Sequence, residues 1–438
     1  MKIAIAGYGI EGEENYAYWS ADPANDITIV DEKEVPAKPL PAGVATLLGP
    51  GVFEQLNGFD LVIRTASLPP RNIKTDGKVW SATNEFFAKC PATIIGITGT
   101  KGKGTTSSII AALFEAAGRK VWLVGNIGIA AISILDRIQP DDVVVFEMSS
   151  FQLWDIEKSP HTAVVLLIEP DHLNVHADMD DYVRAKAGIT RYQQAGDICV
   201  YHPTNPISER IAHEGNATVR QKYAVAGGQS VYVADGAFRT DERIICSTDV
   251  LHLRGDHNKE NTCAAITVAL QHGLSDEAIE NGLREFEGLP HRLEYVKTVN
   301  DVAYYNDSYS SAPPATVAAI KAFTTPEIVI VGGVDKGFDL QGFADVLLAR
   351  QNIKEIILIG EVRHKFADLL ATGQSAGQGT ATKLTVFDGT TMGEIVSYAQ
   401  STAVAGDTVI LSPGCSSFDM FKDFSDRGNQ FRAEVLSL

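Results

Sequence analysis

The chain has 438 residues, 45% of them hydrophobic and 21% charged, and at roughly 100–200 residues per domain this length predicts two to four domains with real apolar cores. Its 37 basic residues stand against 55 acidic ones, a net charge of −18, which excludes a general nucleic-acid binder and requires any anionic substrate to be held by local donors. No run approaches the roughly 18 apolar residues of a membrane helix, so membrane insertion is not expected. Scattered cysteines (Cys90, Cys199, Cys246, Cys263, Cys415) without paired or metal-type spacing predict free thiols in a reducing cytoplasm.

In chain order, the N-terminal MKIAIAGYGIEGEEN reads as a first strand rather than a signal peptide, because Gly7, Gly9 and Glu11 interrupt its apolar run. KIAIAG, ITIVD, VATLL and DLVIRTAS follow one another with turn residues and helical segments between, the rhythm of βαβ units and a parallel sheet. A second block opens at ATIIGITG and adds the strands KVWLVG, DDVVVFEMS and TAVVLLIEP, with helices expected at about 104–118 and 180–195. From Tyr223 to His257 short alternating segments with AGG and ADG turns predict a small antiparallel excursion, then the helical NTCAAITVALQHG and SDEAIENGLREFE. GLPHRLE reads as a hinge into a third block with strands EIVIVGG, EIILIG, KLTVF and DTVILSPG. ATGQSAGQGTAT, near 371–382, reads as a polar loop. The expected fold class is thus α/β in three domains: a Rossmann-like parallel sheet over 1–91, a central P-loop ATPase-type sheet with its antiparallel excursion over 92–289, and a second Rossmann-like sheet over 290–438.

Gly7-Tyr8-Gly9-Ile10-Glu11-Gly12 satisfies G-x-G-x-x-G after a strand, and Asp31 closes the next strand where a ribose-binding acid would sit. Alone this suggests NAD. The glycines report only a tight turn at a helix N-terminus, suited to any phosphate or to none. IGITGTKGKGTT (95–106) is more specific: an apolar strand, then Gly99, Thr100, Lys101, Gly102, Lys103 and Gly104, then a helix-forming run. Backbone N–H groups feeding a helix N-terminus cradle phosphates, and a lysine there reaches the β- and γ-phosphates. Gly104 stands where a Ser or Thr hydroxyl normally meets Mg²⁺, so Thr105, Thr106 or water is left to fill that place. Glu147, His172 and Lys186 lie downstream. Strand ends gather ligands in such sheets, which makes Glu147 and His172 candidate Mg²⁺ partners, while each also has a plain reading: a helix-cap partner, a loop histidine and, for Lys186, a solvated helix residue.

The set TGTKGKGTT, GNIG (125–128), EMSSFQL, DHLNVH, YVRAK, HNKEN, GLPHR, NDS, GGVDKG and SPGCSSFDMF resembles the Mur ligases, the ATP-dependent amide-forming enzymes of peptidoglycan precursor synthesis, in order and over nearly the whole chain. The SSFQL and SSFD-type motifs and the chain length resemble the member that adds D-glutamate to UDP-N-acetylmuramoyl-L-alanine. The resemblance implies a cytoplasmic, monomeric enzyme with small-molecule substrates. It implies that the UDP substrate is held by Gly9, Ile10, Glu11, Gly12, Asp31, Ser67, Asn126 and Ser149, and the ATP phosphates by the loop from Gly99 to Thr106 around Lys103. Asn261 would contact the adenine, and Arg292 and Asp307 the nucleotide. Ser311, Lys336, Ser417 and Phe424 would line the amino-acid pocket. Glu147, His172 and Lys186 would serve two Mg²⁺ sites, with Lys186 converted by CO₂ to an anionic carbamate.

The chain departs from the family pattern at two places: Gly104, and Tyr309-Ser310-Ser311 where Lys-Ala-Thr or Lys-Ser-Thr is usual. The missing cation at 309 leaves addition of another amino acid, such as L-glutamate, as an alternative. A folylpolyglutamate-synthase-like ligase and a non-catalytic nucleotide-binding regulator stand further off, since neither accounts for the Gly7–Gly12 block together with Lys103, Glu147, His172 and Lys186.

Overall fold

The computed structural model describes residues 1–126, 130–377 and 382–438. It resolves into two compact units, Met1–Val250 with His257–Phe286, and Leu251–Asp256 with Glu287–Leu438. All statements of number or absence below concern the described residues.

The first unit begins with β1 (Lys2–Ala6), α1 (Ile10–Ser20), β2 (Asp26–Asp31), β3 (Ala45–Leu48), β4 (Leu61–Arg64), β5 (Lys78–Ser81) and α2 (Ala82–Lys89). The five strands form one parallel sheet in the order β3-β2-β1-β4-β5. Ile3, Ile5, Ile27 and Ile63 pack with Trp19 on one side of it, and Ala4, Ala6, Val30 and Val62 with Phe53 and Leu56 on the other. Both faces are covered, which is why these strands read as continuous apolar runs rather than as alternation.

The same unit continues with β6 (Thr93–Thr98), α3 (Lys103–Ala116), β7 (Val121–Gly125), β8 (Val143–Glu147), α4 (Ser150–Leu153), β9 (Thr162–Val165), α5 (Met179–Arg191), β10 (Ile198–Tyr201), α6 (Pro206–Ala212) and β11 (Val219–Lys222). These six strands are parallel, in the order β11-β10-β9-β6-β8-β7. β6 lies between β8 and β9, pairing Ile97 with Glu147 and Thr98 with Val165. Three strand ends therefore open onto one edge where the chain order reverses, the place where α/β sheets bind ligands. The antiparallel excursion is present as β12 (Tyr232–Ala234), β13 (Ala237–Arg239) and β14 (Ile244–Ser247), followed by α7 (Asp256–Gln271) and α8 (Asp276–Glu285).

Arg64, at the end of β4, is fully buried. Its Nε donates to Asp155 Oδ2 at 2.7 Å, a second nitrogen pairs with Asp155 Oδ1, and another hydrogen bond reaches Phe151 O at 3.0 Å. A buried guanidinium must spend its donors, and this one spends them tying the end of the first sheet to the segment after β8.

The second unit holds β15 (Glu294–Val299), β16 (Val302–Asn306), α9 (Pro313–Ile320), β17 (Glu327–Gly332), α10 (Leu340–Ala349), β18 (Ile353–Ile359), α11 (Arg363–Ser375), β19 (Lys383–Val386), α12 (Met392–Thr402), β20 (Thr408–Gly414) and α13 (Phe424–Ser437). Its sheet runs β15-β16-β20-β17-β18-β19, parallel except for β15, which pairs antiparallel with β16. That hairpin was not expected from the sequence. Its turn, Asn300-Asp301, has φ of 49° and 60°, the mirror-image two-residue turn that Asn and Asp tolerate. The polar tract expected as a loop is corrected in part: α11 runs on through Ser375, while 378–381 lie outside the described residues.

Candidate active site

The phosphate-loop motif adopts the strand–loop–helix form its sequence demands. Gly102 caps α3 in the left-handed region at φ 83°, and a Cβ there would stand 2.4 Å from Asn261 Oδ1. Only glycine lets the loop turn while Asn261 of α7 packs against it. At Gly99 a Cβ would meet the Leu166 side chain at 2.7 Å. Lys103 curls back over the loop, its Nζ donating to Gly99 O at 3.1 Å and Thr100 O at 3.0 Å. Gly104, Thr105 and Thr106 are all buried, and the hydroxyls of Thr106, Ser107 and Ser108 have no hydrogen-bond partner among the described residues. Thr106 is wholly enclosed, so of the two expected substitutes for the missing hydroxyl Thr105 is the less confined.

Lys186 is not a solvated helix residue. It is 1% exposed, and its Nζ donates to the same Gly99 carbonyl at 2.8 Å and to Thr98 Oγ1 at 3.3 Å. Burial pushes its pKa well below the usual lysine range, Lys103 pushes the same way, and Asp171 and Glu147 pull weakly back. Two amines converge on one carbonyl, and only one can keep its charge cheaply. Glu147 closes β8 and is buried; the cap of α4 is Ser149 with Gln152, not Glu147. His172 has a left-handed backbone (φ 54°) and an exposed ring, 5.0 Å from the Phe151 ring and 3.5 Å from Asp171 Oδ2. Lys103, Asp171 and Glu147 are thus the charges that act on Lys186. No three His, Cys, Asp or Glu side chains converge as a metal cluster among the described residues.

Sequence reasoning missed Thr98, Asp171 and Tyr182. Tyr182 stands one turn before Lys186 on α5, its ring 4.8 Å from Nζ and its hydroxyl 3.0 Å from Thr100 Oγ1. The i, i+4 spacing in YVRAK carried that signal.

In the first sheet, Gly7 has φ 94°, and a Cβ on Gly12 would lie 2.2 Å from Gly7 O, so helix and strand meet closely there. Ile10 is exposed, as is Ser67 in the loop after β4. Asp31 accepts the Tyr8 N–H at 2.7 Å through one oxygen and the Lys33 N–H at 2.9 Å through the other. Glu11 accepts the Ala66 N–H at 2.8 Å, and burial raises its pKa. With Glu11 and Glu13 in the first turn, the positive end of α1 already faces carboxylates of its own. Asn126 is exposed beside Glu147, to whose carbonyl its backbone donates at 3.2 Å; Ile127 and Gly128 of the GNIG motif lie outside the described residues. Ser149 spends its hydroxyl on the capping box.

In the second unit, Asp307 is buried beyond β16. It accepts the Leu293 N–H at 3.0 Å and the Ser412 hydroxyl at 2.6 Å. Burial pushes its carboxyl up to about 6, against these hydrogen bonds and the Arg292 charge. The Arg292 guanidinium lies 4.6 Å over the Tyr309 ring, and Phe424, first in α13, meets the same ring edge-on at 5.3 Å. Ser311 donates its N–H to Tyr309 O at 2.8 Å. Lys336 is exposed, 5.4 Å from the Phe418 ring, and buried Ser417 follows Ser416, whose carbonyl accepts the Val334 N–H at 2.9 Å. Arg292, Asp307, Ser311 and Phe424 thus gather around Tyr309, with Lys336 and Ser417 on adjoining loops.

Comparison with known proteins identifies the family. Residues 97–269 match the Mur ligase middle domain, and residues 291–415 match the Mur ligase, glutamate ligase domain. The UDP-N-acetylmuramoylalanine–D-glutamate ligase of Clostridium tetani is 33% identical over 100% of this chain and 97% of its own. The chain belongs to the Mur ligase family. It is accordingly an ATP-dependent ligase that forms an amide bond. The ligase is also similar to the UDP-N-acetylmuramoylalanine–D-glutamate ligase of Acetivibrio thermocellus, at 36% identity over 100% of this chain and 96% of that one. A solved UDP-N-acetylmuramate-alanine ligase from Thermotoga maritima shares its fold with a TM-score of 0.60 at 16% identity, covering 100% of this chain and 99% of that one. No helix among the described residues of the ligase is long and apolar enough to cross a membrane.

Proposed function

We propose that the ligase adds D-glutamate to UDP-N-acetylmuramoyl-L-alanine in cytoplasmic peptidoglycan precursor synthesis. The full-length likeness to relatives bearing that name supports the substrate, and one observation carries the chemistry: Lys103 and the buried Lys186 meet on the Gly99 carbonyl, with Asp171 and Glu147 as opposing charges on Lys186. A carboxylate does not react with an amine unaided, because its oxygen leaves too poorly. The terminal carboxylate oxygen therefore attacks the γ-phosphorus of ATP, ADP leaves, and an acyl phosphate forms. The glutamate amine then adds to the acyl carbon, and the tetrahedral intermediate expels phosphate as the amine loses its proton.

Positioning and charge supply most of the rate in such a reaction. The amides of the Gly99–Gly104 loop and Lys103 are the proposed phosphate contacts, Asn261 the proposed adenine contact, and Arg292 and Asp307 further proposed nucleotide contacts. Ser311, Lys336, Ser417 and Phe424 are the proposed amino-acid contacts; Gly9, Ile10, Glu11, Gly12, Asp31, Ser67, Asn126 and Ser149 are the proposed UDP-substrate contacts. An opposite-charge pair at 4 Å is worth about 1 kcal/mol in water and about 4 kcal/mol near a protein surface, so several are needed. Glu147, His172 and Lys186 as a carbamate are the proposed holders of Mg²⁺, which when bound neutralises charge on the phosphoryl oxygens. The fit rests on Lys186: burial favours its neutral amine, the form that adds to CO₂ and releases a proton to leave an anionic carbamate.

The test is isotope transfer. With ¹⁸O in the terminal carboxylate of UDP-N-acetylmuramoyl-L-alanine, one ¹⁸O is expected in the phosphate released during D-glutamate addition. Unlabelled phosphate would exclude the acyl phosphate.

A further inference from the structure

We propose that Tyr309 is a positioning residue of the ligase reaction: its ring is the platform that holds the Arg292 guanidinium and leaves its donors for an anion. The inference rests on the ligase reading and adds a residue to it that the family pattern, which has lysine there, does not supply.

The guanidinium carbon sits 4.6 Å from the ring centroid, well inside the roughly 6 Å reach of a cation–π contact. The ring is itself fixed. Its backbone N–H donates to His291 O at 2.9 Å, its carbonyl accepts from Ser311, and Phe424 presses on it edge-on with an interplanar angle of 87°. Among the described residues Arg292 has no side-chain hydrogen bond and no ion pair; the ring and the field of Asp307 are what it touches. A guanidinium that stacks through its face keeps all five N–H groups for a ligand lying in its plane, and carboxylate and phosphate are the ligands such a fork fits. Half-exposed Tyr309 leaves that edge in reach of solvent and substrate. A lysine at 309 would instead add a second cation and repel Arg292. The chain has thus exchanged a charge for an ordered one.

Three variants and one background test this. Tyr309→Phe keeps the ring and is expected to turn over within about twofold of the parent. Tyr309→Leu keeps the apolar contact with Phe424 but has no π face, and is expected to lose roughly tenfold in kcat with little change in melting temperature, the loss of a partly desolvated cation–π contact. Tyr309→His is expected to work near pH 8, where a neutral imidazole stacks, and to fail near pH 5.5, where an imidazolium repels Arg292, beyond any decline in the parent. In an Arg292→Ala background, Tyr309→Leu is expected to add no further loss. Equal activity of Tyr309→Leu and Tyr309→Phe, or an undiminished loss from Tyr309→Leu in the Arg292→Ala background, overturns the proposal. Full activity of Arg292→Ala alone would instead remove Arg292 from the ligase reading.

Discussion

Lys186 shows how far one residue's meaning depends on its surroundings. In the sequence it is one lysine on a helical stretch, and only likeness to a family set it apart; in the structure it is sealed against Thr98 and Gly99 with Lys103 repelling its proton. The carbamate account predicts that Lys186→Arg, which keeps a cation but cannot take up CO₂, loses at least about 100-fold in turnover, the scale of removing one charge-stabilising group. The parent incubated with ¹³C-bicarbonate should show a carbamate carbonyl resonance that Lys186→Arg lacks. A fully active arginine variant would contradict it. Asp31 and Ser149 show a second dependence. The resemblance gives both a substrate contact, and their oxygens are also hydrogen-bonded to the Tyr8 and Lys33 amides and within the α4 cap. Residue type and spacing do not show such local bonds.

Elements were legible where both faces of a strand are buried. The runs KIAIAG, ATIIGITG and EIVIVGG needed no alternation to be read, and their strands are all in place. The β15–β16 hairpin escaped because its outer strand is half-solvated, with burial alternating irregularly across EYVKTV, although its Asn-Asp turn was visible. Length misled in α11, whose last turn is built of Ala, Thr, Gly, Gln and Ser, a loop-like composition held in helix by Leu370 and Gly373 against the core. Burial at strand ends also has an electrostatic cost. Glu327 opens β17 fully buried, accepting from Asn352 at 2.6 Å and from Arg350 at 3.4 Å, and burial pushes its pKa up to about 7. A carboxyl raised in the folded state stabilises when protonated: that contribution is complete below its unfolded pKa near 4.5 and is lost as pH rises through about 7. Glu327→Gln should therefore melt higher than the parent at pH 8 and indistinguishably from it near pH 4.5. A variant equally or less stable at pH 8 would refute the burial cost.

At the scale of the molecule, three α/β blocks were readable because each carries its own sheet, wholly parallel in the first two and parallel but for β15 in the third, and its own Gly-rich strand ends. The family was readable because its motifs sit at those ends, where chemistry fixes residue type: a lysine for phosphates, an acid closing β8, glycines where a Cβ would collide. The amino acid taken up was less readable, since its proposed contacts include an exposed lysine and a serine whose neighbour at 309 departs from the pattern. The central claim is that this chain is a ligase for D-glutamate, and it is tested most directly by phosphate release from ATP in the presence of UDP-N-acetylmuramoyl-L-alanine and one amino acid at a time: D-glutamate, L-glutamate, L-lysine or meso-diaminopimelate. The account predicts stoichiometric release, with formation of the glutamyl product, for D-glutamate alone. Release with another amino acid and not with D-glutamate, or none with any of them from an enzyme that binds ATP, would contradict it.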